Sequence, residues 1–344
     1  MKSIFTGKTV LITGGTGSIG SEIVKYVLAE EDVKVIVFSR DEIKHFLMRS
    51  RLRNNNLLTI VGDVRDGNSI ERLFSRFNID IIFHAAAMKH IVMCEDFPME
   101  AVETNILGTQ NLVDLAIKYR IPKMITISTD KAASPINILG ATKLVAERIT
   151  LNGTRISKNN QTFSCVRFGN VAASRGSVIP VLIDNLLYGK PLQLTNVDVT
   201  RFIMEIPDAV KLIIEASDRA LGGEIFILKM RAFKLGDLLD VILKRIAPKL
   251  GIAEKDVKVE MSGLINGEKL HEELVFESER NRLYELNDMY IVLPDNACSS
   301  KYPGIRKASL GSFSSKDSDL LPKKELENIV LKYLQIRSIS PIEI

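Results

Sequence analysis

A chain of 344 residues is longer than one ordinary domain needs and leaves room for a large core with an appended lobe. Apolar residues make up 46% and charged ones 26%, the balance of a folded globular protein rather than a disordered one. The net charge of +4, from 46 basic and 42 acidic residues, is too small and the basic residues too scattered for a nucleic-acid-binding surface.

The opening MKSIFTGKTVLITGG runs straight into strand-like sequence, without the charged-then-apolar layout of a signal peptide. No apolar run approaches the roughly 20 residues of a membrane span. Cys94, Cys165 and Cys298 lie far apart in no CxxC or Cys/His cluster, which argues against a disulfide framework or structural zinc. A soluble, cytoplasmic protein is expected, with no membrane partner.

Residues 9–13 read as a first buried strand that stops at a glycine cluster. Residues 34–39, 58–61, 81–84, 124–128 and 163–167 repeat this pattern, and helical periodicity fills 20–29, 98–119 and 138–158 between them. Such alternation predicts parallel strands joined by helical crossovers, hence a doubly wound α/β Rossmann sheet over residues 1–169, with segments of 200–228 returning to it. Beyond residue 170, stretches such as SRGSVIP and YGKPLQLTN change the rhythm, and 235–250 has the pattern of an amphipathic helix. This predicts a smaller α/β substrate-binding lobe, mainly 170–296. Residues 297–344 form a C-terminal segment in which 295–316 read as loop and 322–336 as a last helix.

The first strand runs into Thr13-Gly14-Gly15-Thr16-Gly17-Ser18-Ile19-Gly20. Glycines 14, 17 and 20 allow a sharp turn and close approach of a pyrophosphate, while the following helix N-terminus offers N–H groups at Ser18 and Ile19. Dinucleotide binding follows from the motif together with its strand and helix. The second strand ends at Ser39-Arg40-Asp41, where an acidic residue suits the adenosine ribose and a basic one a 2′-phosphate. Arg40 comes first and favours NADP, with NAD the alternative. Asp63, followed by Val64, stands where an acceptor meets the adenine amino group; equally, it could cap a helix.

Together these features resemble the extended short-chain dehydrogenase/reductases, and within them the soluble UDP-N-acetylglucosamine 4,6-dehydratases of polysaccharide biosynthesis. The resemblance rests on TGGTGSIG, GDVRD, HAAAMKH, TNILGT, STDKA, GATK, RFGNV, SRGSVIP, TRF and GEKLHE, and spans about residues 5–296. It implies that Ala85, Ala86, Ala87, Asn105 and Ser128 border the cofactor and that Lys143 orients the nicotinamide ribose. It implies Lys131 as the base at C5 of the sugar, Asp130 as the acid at the C6 oxygen, and Thr129 with Ser128 as donors to the C4 oxygen. Arg175 and Arg201 suit a diphosphate, because a guanidinium matches phosphate oxygens in pairs. Asn170, Glu268 and Lys89 are sugar or uridine contacts, His271 is a weaker candidate, and His84 reads as a packing residue.

One residue departs from the wider family. The tyrosine that takes the substrate's hydroxyl proton would stand four residues before Lys143, where this chain has Leu139. That favours a dehydratase over a C4 epimerase and leaves water, Asp130 and Lys131 as candidates for that proton. The resemblance implies C4 oxidation, loss of water across C5 and C6, and hydride return to C6. The competing readings are the same dehydration with inversion at C5, a C4 epimerase, and a non-catalytic nucleotide-sugar-binding protein. A homo-oligomer, dimer or hexamer, is what the family suggests.

Overall fold

The computed structural model describes residues 3–339 except 173, 296, 298 and 309–312, so Cys298 lies outside the described residues. The chain forms two compact units, one comprising Met1–Phe168, Pro207–Lys229 and Val275–Leu310, the other Gly169–Ile206, Met230–Leu274 and Gly311–Ile344.

The first unit is built on a ten-stranded sheet. Strands β1 (Thr9–Thr13), β2 (Lys34–Ser39), β3 (Leu57–Val61), β4 (Ile81–His84), β5 (Lys123–Ile127) and β6 (Thr162–Arg167) lie in the order β3-β2-β1-β4-β5-β6, all parallel. This is the doubly wound order, and the order reverses between β1 and β4, the topological switch point where such sheets bind ligands. Ile225–Leu228 continues the sheet in parallel beside β6. The strands Met289–Val292, Leu283–Leu286 and Arg306–Lys307 then add an antiparallel edge. Residues 283–292 and 306–307 therefore belong to the first unit's sheet, not to the second lobe or a tail loop as the sequence suggested. These strands have four residues or fewer, too short for periodicity to separate them from loop.

The central strands read as almost continuous apolar runs because helices cover both faces of the sheet. Leu11, Ile36, Phe38, Ile82, Met124 and Phe163 from the strands pack with Ile70, Phe74, Leu112 and Ala116 from the helices. Helix α1 (Ser18–Leu28) buries Ile23, Val24 and Val27. Helices α2 (Glu42–Leu52) and α3 (Gly67–Arg76) start at Asp41 and Asp66, whose carboxylates accept the free N–H groups of their first turns, a cap that contributes about 1 kcal/mol each. The helix expected over 98–119 is interrupted: Pro98–Ala101 and Gly108–Lys118 flank a π-helical turn at Val102–Leu107. That turn carries Asn105, which is buried.

The second unit holds a three-stranded sheet, Arg231–Lys234, Thr200–Met204 and Asn170–Val171, and a strand pair, Leu192–Leu194 with Val259–Met261. Its core gathers Leu182, Leu192, Leu238, Ile242, Leu326 and Val330. The helix expected over 235–250 is α-helical only at Leu235–Val241, passes through a π-helical turn at Ile242–Ile246, and ends in a 3-10 turn begun by Pro248. The last helix, Lys323–Ile339, sets Leu326, Ile329 and Val330 into the same core. Among the described residues, no helix is long and apolar enough to cross a membrane.

Candidate active site

The glycine turn folds tightly on itself and on the end of β4. Gly14 has φ +65°, and a Cβ there would come within 2.7 Å of the Ala86 backbone; one at Gly20 would meet the Gly14 carbonyl at 2.4 Å. Gly17 is the N-cap of α1 and lays no side chain over the helix start, so the positive dipole end at Ser18 and Ile19 suits a pyrophosphate. At the end of β2, the Ser39 hydroxyl lies 2.9 Å from Thr16 Oγ1 and 2.9 Å from His45 Nε2, tying the glycine turn to α2.

The charged residues beyond Ser39 divide into two sets. Asp41 is committed to α2, accepting the Lys44 N–H at 3.1 Å and the Lys44 ammonium at 2.8 Å, and these bonds hold its carboxyl below the ordinary carboxylate range. Arg40 is 57% exposed in its side chain and reaches only as near as 3.9 Å to Asp63. Asp63 does not cap α3; Asp66 does. Burial pushes the Asp63 carboxyl up, but the Arg65 guanidinium at 2.7 Å and the Arg65 N–H outweigh it and hold the carboxyl low. Val64 packs its side chain against Gly108, at the head of the helix Gly108–Lys118, where a Cβ would meet it at 2.7 Å.

After β4, the segment Ala85-Ala86-Ala87 leads to Met88, which Asn105 grips on both sides. The Asn105 carbonyl accepts the Met88 N–H at 2.8 Å and its amide donates to the Met88 carbonyl at 3.2 Å and to Thr142 Oγ1 at 3.0 Å. Lys89, next in sequence, is exposed.

The candidate catalytic residues cluster just beyond β5. Ser128 donates its N–H to the Val166 carbonyl (2.7 Å) and Asp130 to that of Phe168 (2.9 Å), so both are tied to the strand alongside. Asp130 is fully buried. Its Oδ1 accepts from Thr129 Oγ1 at 2.8 Å and from the Lys131 ammonium at 3.0 Å. Asp130 Oδ2 and Ser128 Oγ are buried with no hydrogen-bond partner among the described residues, an omission that costs about 1–3 kcal/mol per group. Thr129 thus directs its proton at Asp130.

The helix Ile138–Ile156, capped by Asn137, crosses close above this turn. Closeness is possible because residue 140 is glycine: a Cβ there would sit 2.2 Å from the Lys131 carbonyl. Leu139 is buried beside Cys94 and Ala101, where an aliphatic group belongs. One turn later Lys143 donates to the Ile127 carbonyl at 2.7 Å, and burial lowers its pKa. The first unit therefore brings Ser128, Thr129, Asp130, Lys131 and Lys143 together.

Within the second unit, Asn170 pairs with Ile203 on the strand beside Arg201. Arg201 donates to Glu268 at 2.7 Å and to the Thr200 carbonyl at 2.8 Å. His271 Nδ1 lies 2.9 Å from Thr200 Oγ1, and burial, with Lys316 and Arg201 nearby, lowers its pKa. Arg175 stands in the turn before the helix Val178–Leu187.

Residues absent from the sequence reading complete the site. Thr16 and His45 hold Ser39, Thr142 holds Asn105, and Gly140 admits the helix carrying Lys143. Thr16, Gly140 and Thr142 stand inside the motifs TGGTGSIG and GATK, but their roles, like that of His45, arise from contacts between elements distant in sequence, which no motif displays.

A family model described as "Polysaccharide biosynthesis protein" matches residues 10–294. Over 331 residues the chain is 43% identical to a protein of Methanocaldococcus jannaschii named as an uncharacterized membrane protein, covering 96% of this chain and 97% of that one. A UDP-N-acetylglucosamine 4,6-dehydratase (inverting) of Campylobacter jejuni is 38% identical over 294 residues, 85% of this chain and 84% of that one. A UDP-glucose 4-epimerase of Rickettsia canadensis is 36% identical over 338 residues, 95% and 96% of the two chains. The crystal structure of Pen from Bacillus thuringiensis superposes with a TM-score of 0.89 at 39% identity, covering 96% of this chain and 99% of that one. With the doubly wound sheet and the clustered Asp and Lys, these likenesses show that the chain belongs to the polysaccharide biosynthesis family of nucleotide-sugar dehydratases and epimerases.

Proposed function

We propose that this chain is a 4,6-dehydratase of UDP-N-acetylglucosamine. The observation that carries the reading is the buried Asp130, with one oxygen bonded to Lys131 at 3.0 Å and the other without a partner among the described residues. A dehydration needs a base at C5 and an acid at the C6 oxygen, and a single proton move serves both. Passing a proton from the Lys131 ammonium to Asp130 leaves a neutral amine and a carboxylic acid in contact. Lys131 then takes the C5 proton, Asp130 gives its proton to the departing C6 hydroxyl, and water leaves. The protons balance: two carried by the pair and substrate C5 become one on Lys131 and one in the water.

The residues fit a nicotinamide dinucleotide, because Gly14, Gly17 and Gly20 leave the helix start bare and a ribose can meet Lys143. When bound, such a cofactor would supply the hydride chemistry that links oxidation at C4 to reduction at C6. Among the described residues the Lys143 ammonium makes one hydrogen bond, to Ile127, leaving donors for two ribose hydroxyls. The exposed Arg40, with Asp41 withdrawn to its helix, supports NADP over NAD. Ser128, whose hydroxyl lacks a protein partner among the described residues, suits the C4 oxygen; water takes the C4 hydroxyl proton, since Leu139 has no acceptor to offer and Asp130 already holds the proton passed from Lys131. Lys89 and Asn170 take sugar or uridine hydroxyls. Arg175 and Arg201 meet the diphosphate, Arg201 by exchanging Glu268 for phosphate oxygens. The protein works in the cytoplasm as a homo-oligomer.

The test is incubation of the purified protein with UDP-N-acetylglucosamine without added cofactor, followed by proton NMR. A C6 methyl doublet with a 4-keto product is expected, and the C5 configuration separates retention from inversion, the outcome named for the Campylobacter relative. A C4 epimer without the methyl doublet would establish the epimerase reading, which the Rickettsia relative favours. An unchanged sugar, with NAD or NADP supplied, would sink both.

A further inference from the structure

Between the glycine turn and the catalytic helix runs a chain of buried polar groups centred on His84. Thr13, His84, Thr109 and Asn105 are each no more than 1% exposed. His84 Nδ1 lies 2.7 Å from Thr13 Oγ1, and His84 Nε2 lies 3.0 Å from Thr109 Oγ1. Thr109 Oγ1 in turn donates to the Asn105 backbone carbonyl at 2.6 Å. Beyond it, Asn105 holds Met88 and Thr142, the residue next to Lys143.

The hydrogens of this chain can be placed by elimination. A hydroxyl has one proton, and at 2.6 Å the Thr109 proton must lie toward the Asn105 carbonyl, since two bare oxygens so close would repel. Thr109 Oγ1 therefore accepts from His84, so Nε2 carries the ring proton. Nδ1 is then an acceptor, and the Thr13 hydroxyl donates to it. The opposite tautomer would leave Nε2 facing a hydroxyl oxygen whose proton is already given to the Asn105 backbone carbonyl. Burial holds the ring neutral, and the nearby Lys143 adds to the effect.

We infer that His84 is a positioning residue for the dinucleotide cradle: through the Nε2–H tautomer it fixes Thr13, and with it the Gly14 turn, against the Ala85–Ala86 segment. The turn has no slack there, since Gly14 already touches the Ala86 backbone with no room for a Cβ. Thr13 and His84 are cross-strand partners at the ends of β1 and β4, where the sheet reverses order. Losing the Thr13 bond would let the two strand ends part and the turn open. This inference rests on the dinucleotide reading of the site, and the test keeps the two apart.

The protein has no tryptophan, so the fluorescence of bound NADPH or NADH can be read cleanly. His84→Gln keeps a donor near the Nε2 position for Thr109 but removes the acceptor for Thr13; His84→Asn does the reverse and is the conservative rescue. His84→Gln is expected to weaken NADPH binding about tenfold, with His84→Asn restoring most of it. Thr13→Val, which removes the same bond from the other side, should match His84→Gln and serves if that variant fails to fold. Ring nitrogen NMR of the unliganded protein, with His84 assigned by difference among four histidines, should show a proton on Nε2 and none on Nδ1 from pH 5 to 8. Wild-type protein that binds neither dinucleotide would overturn the cofactor reading while the NMR still reads the tautomer. Equal affinity in wild type, His84→Gln and Thr13→Val would overturn the positioning role, as would a proton on Nδ1 or equal losses in His84→Gln and His84→Asn.

Discussion

At the scale of single residues, the end of β2 shows how two adjacent charges come to have separate fates. Asp41 is drawn to the start of α2 because four backbone N–H groups there need acceptors and Lys44 sits one turn on. Arg40 has no such anchor within the strand and points its guanidinium outward, 3.9 Å from Asp63. If Arg40 meets a 2′-phosphate, Arg40→Ala should weaken NADPH binding about tenfold and leave NADH binding within about twofold, because one charge-assisted contact is worth roughly 1.5–3 kcal/mol. Titration of both reduced cofactors against the variant decides it, and equal losses for the two would remove Arg40 from phosphate recognition. The order Ser39-Arg40-Asp41 was legible in the sequence. What it could not show was which of the two charges a helix cap would claim.

At the scale of elements, the site depends on how closely the helix Ile138–Ile156 lies on the turn Asp130–Ala132. The strands β1 to β6 and the helical stretches over 20–29, 98–119 and 138–158 could be read from periodicity because each is a local pattern: β-branched runs ending in glycine or polar turns, then an amphipathic stretch. STDKA and GATK could be read as motifs. Their closeness could not, since it depends on Gly140 facing the Lys131 carbonyl, a contact that neither motif contains alone. The π-helical turn at Val102–Leu107 was equally hidden: its residues fit ordinary helical spacing, and only the buried bonds of Asn105 reveal why the extra residue is tolerated. Gly140→Ala should therefore act on both stability and chemistry. Its Cβ would fall 2.2 Å from a backbone carbonyl, which cannot rotate away, so the helix must shift, at a cost of about 1–3 kcal/mol. Because Lys143 and the Asp130–Lys131 pair lie on either side of that contact, turnover of the proposed substrate, UDP-N-acetylglucosamine, should fall more than tenfold with the fold retained. Urea denaturation and NMR-monitored turnover measure the two effects, and a stable variant with full turnover would show the contact to be incidental.

At the scale of the whole molecule, the first unit is assembled from three separated stretches of chain, and long-range polar contacts join them. Arg167 on β6 is fully buried between Glu147 and Glu279, with contacts of 2.7 and 2.8 Å; Glu279 comes from the segment Val275–Leu310 that returns to the sheet late in the sequence. His84 imposes a different demand on the same unit, because its burial holds the imidazole neutral, with a pKa pushed down to about 3 from 6.5 and the Lys143 charge adding to the effect. The unfolded chain binds a proton at His84 below about pH 6.5, whereas the folded chain does not until about pH 3. Between those values the unfolded state holds more protons, so stability rises with pH and is lost as pH falls through that window. Each unit of pH is worth about 1.4 kcal/mol for one fully shifted group. Carboxylates held low by their partners, Asp41 and Asp63 among them, also cost stability on acidification, so the histidine must be isolated by difference. His84→Asn has no proton to gain, so wild type should lose its stability advantage over this variant by about 1.4 kcal/mol per pH unit from pH 6 to pH 4, within the range where both unfold reversibly in urea. A gap between the two proteins that stays constant over this range would mean that the imidazole is charged in the folded state, with a proton on Nδ1 as well as Nε2, and Thr13 would then accept from the ring rather than donate to it.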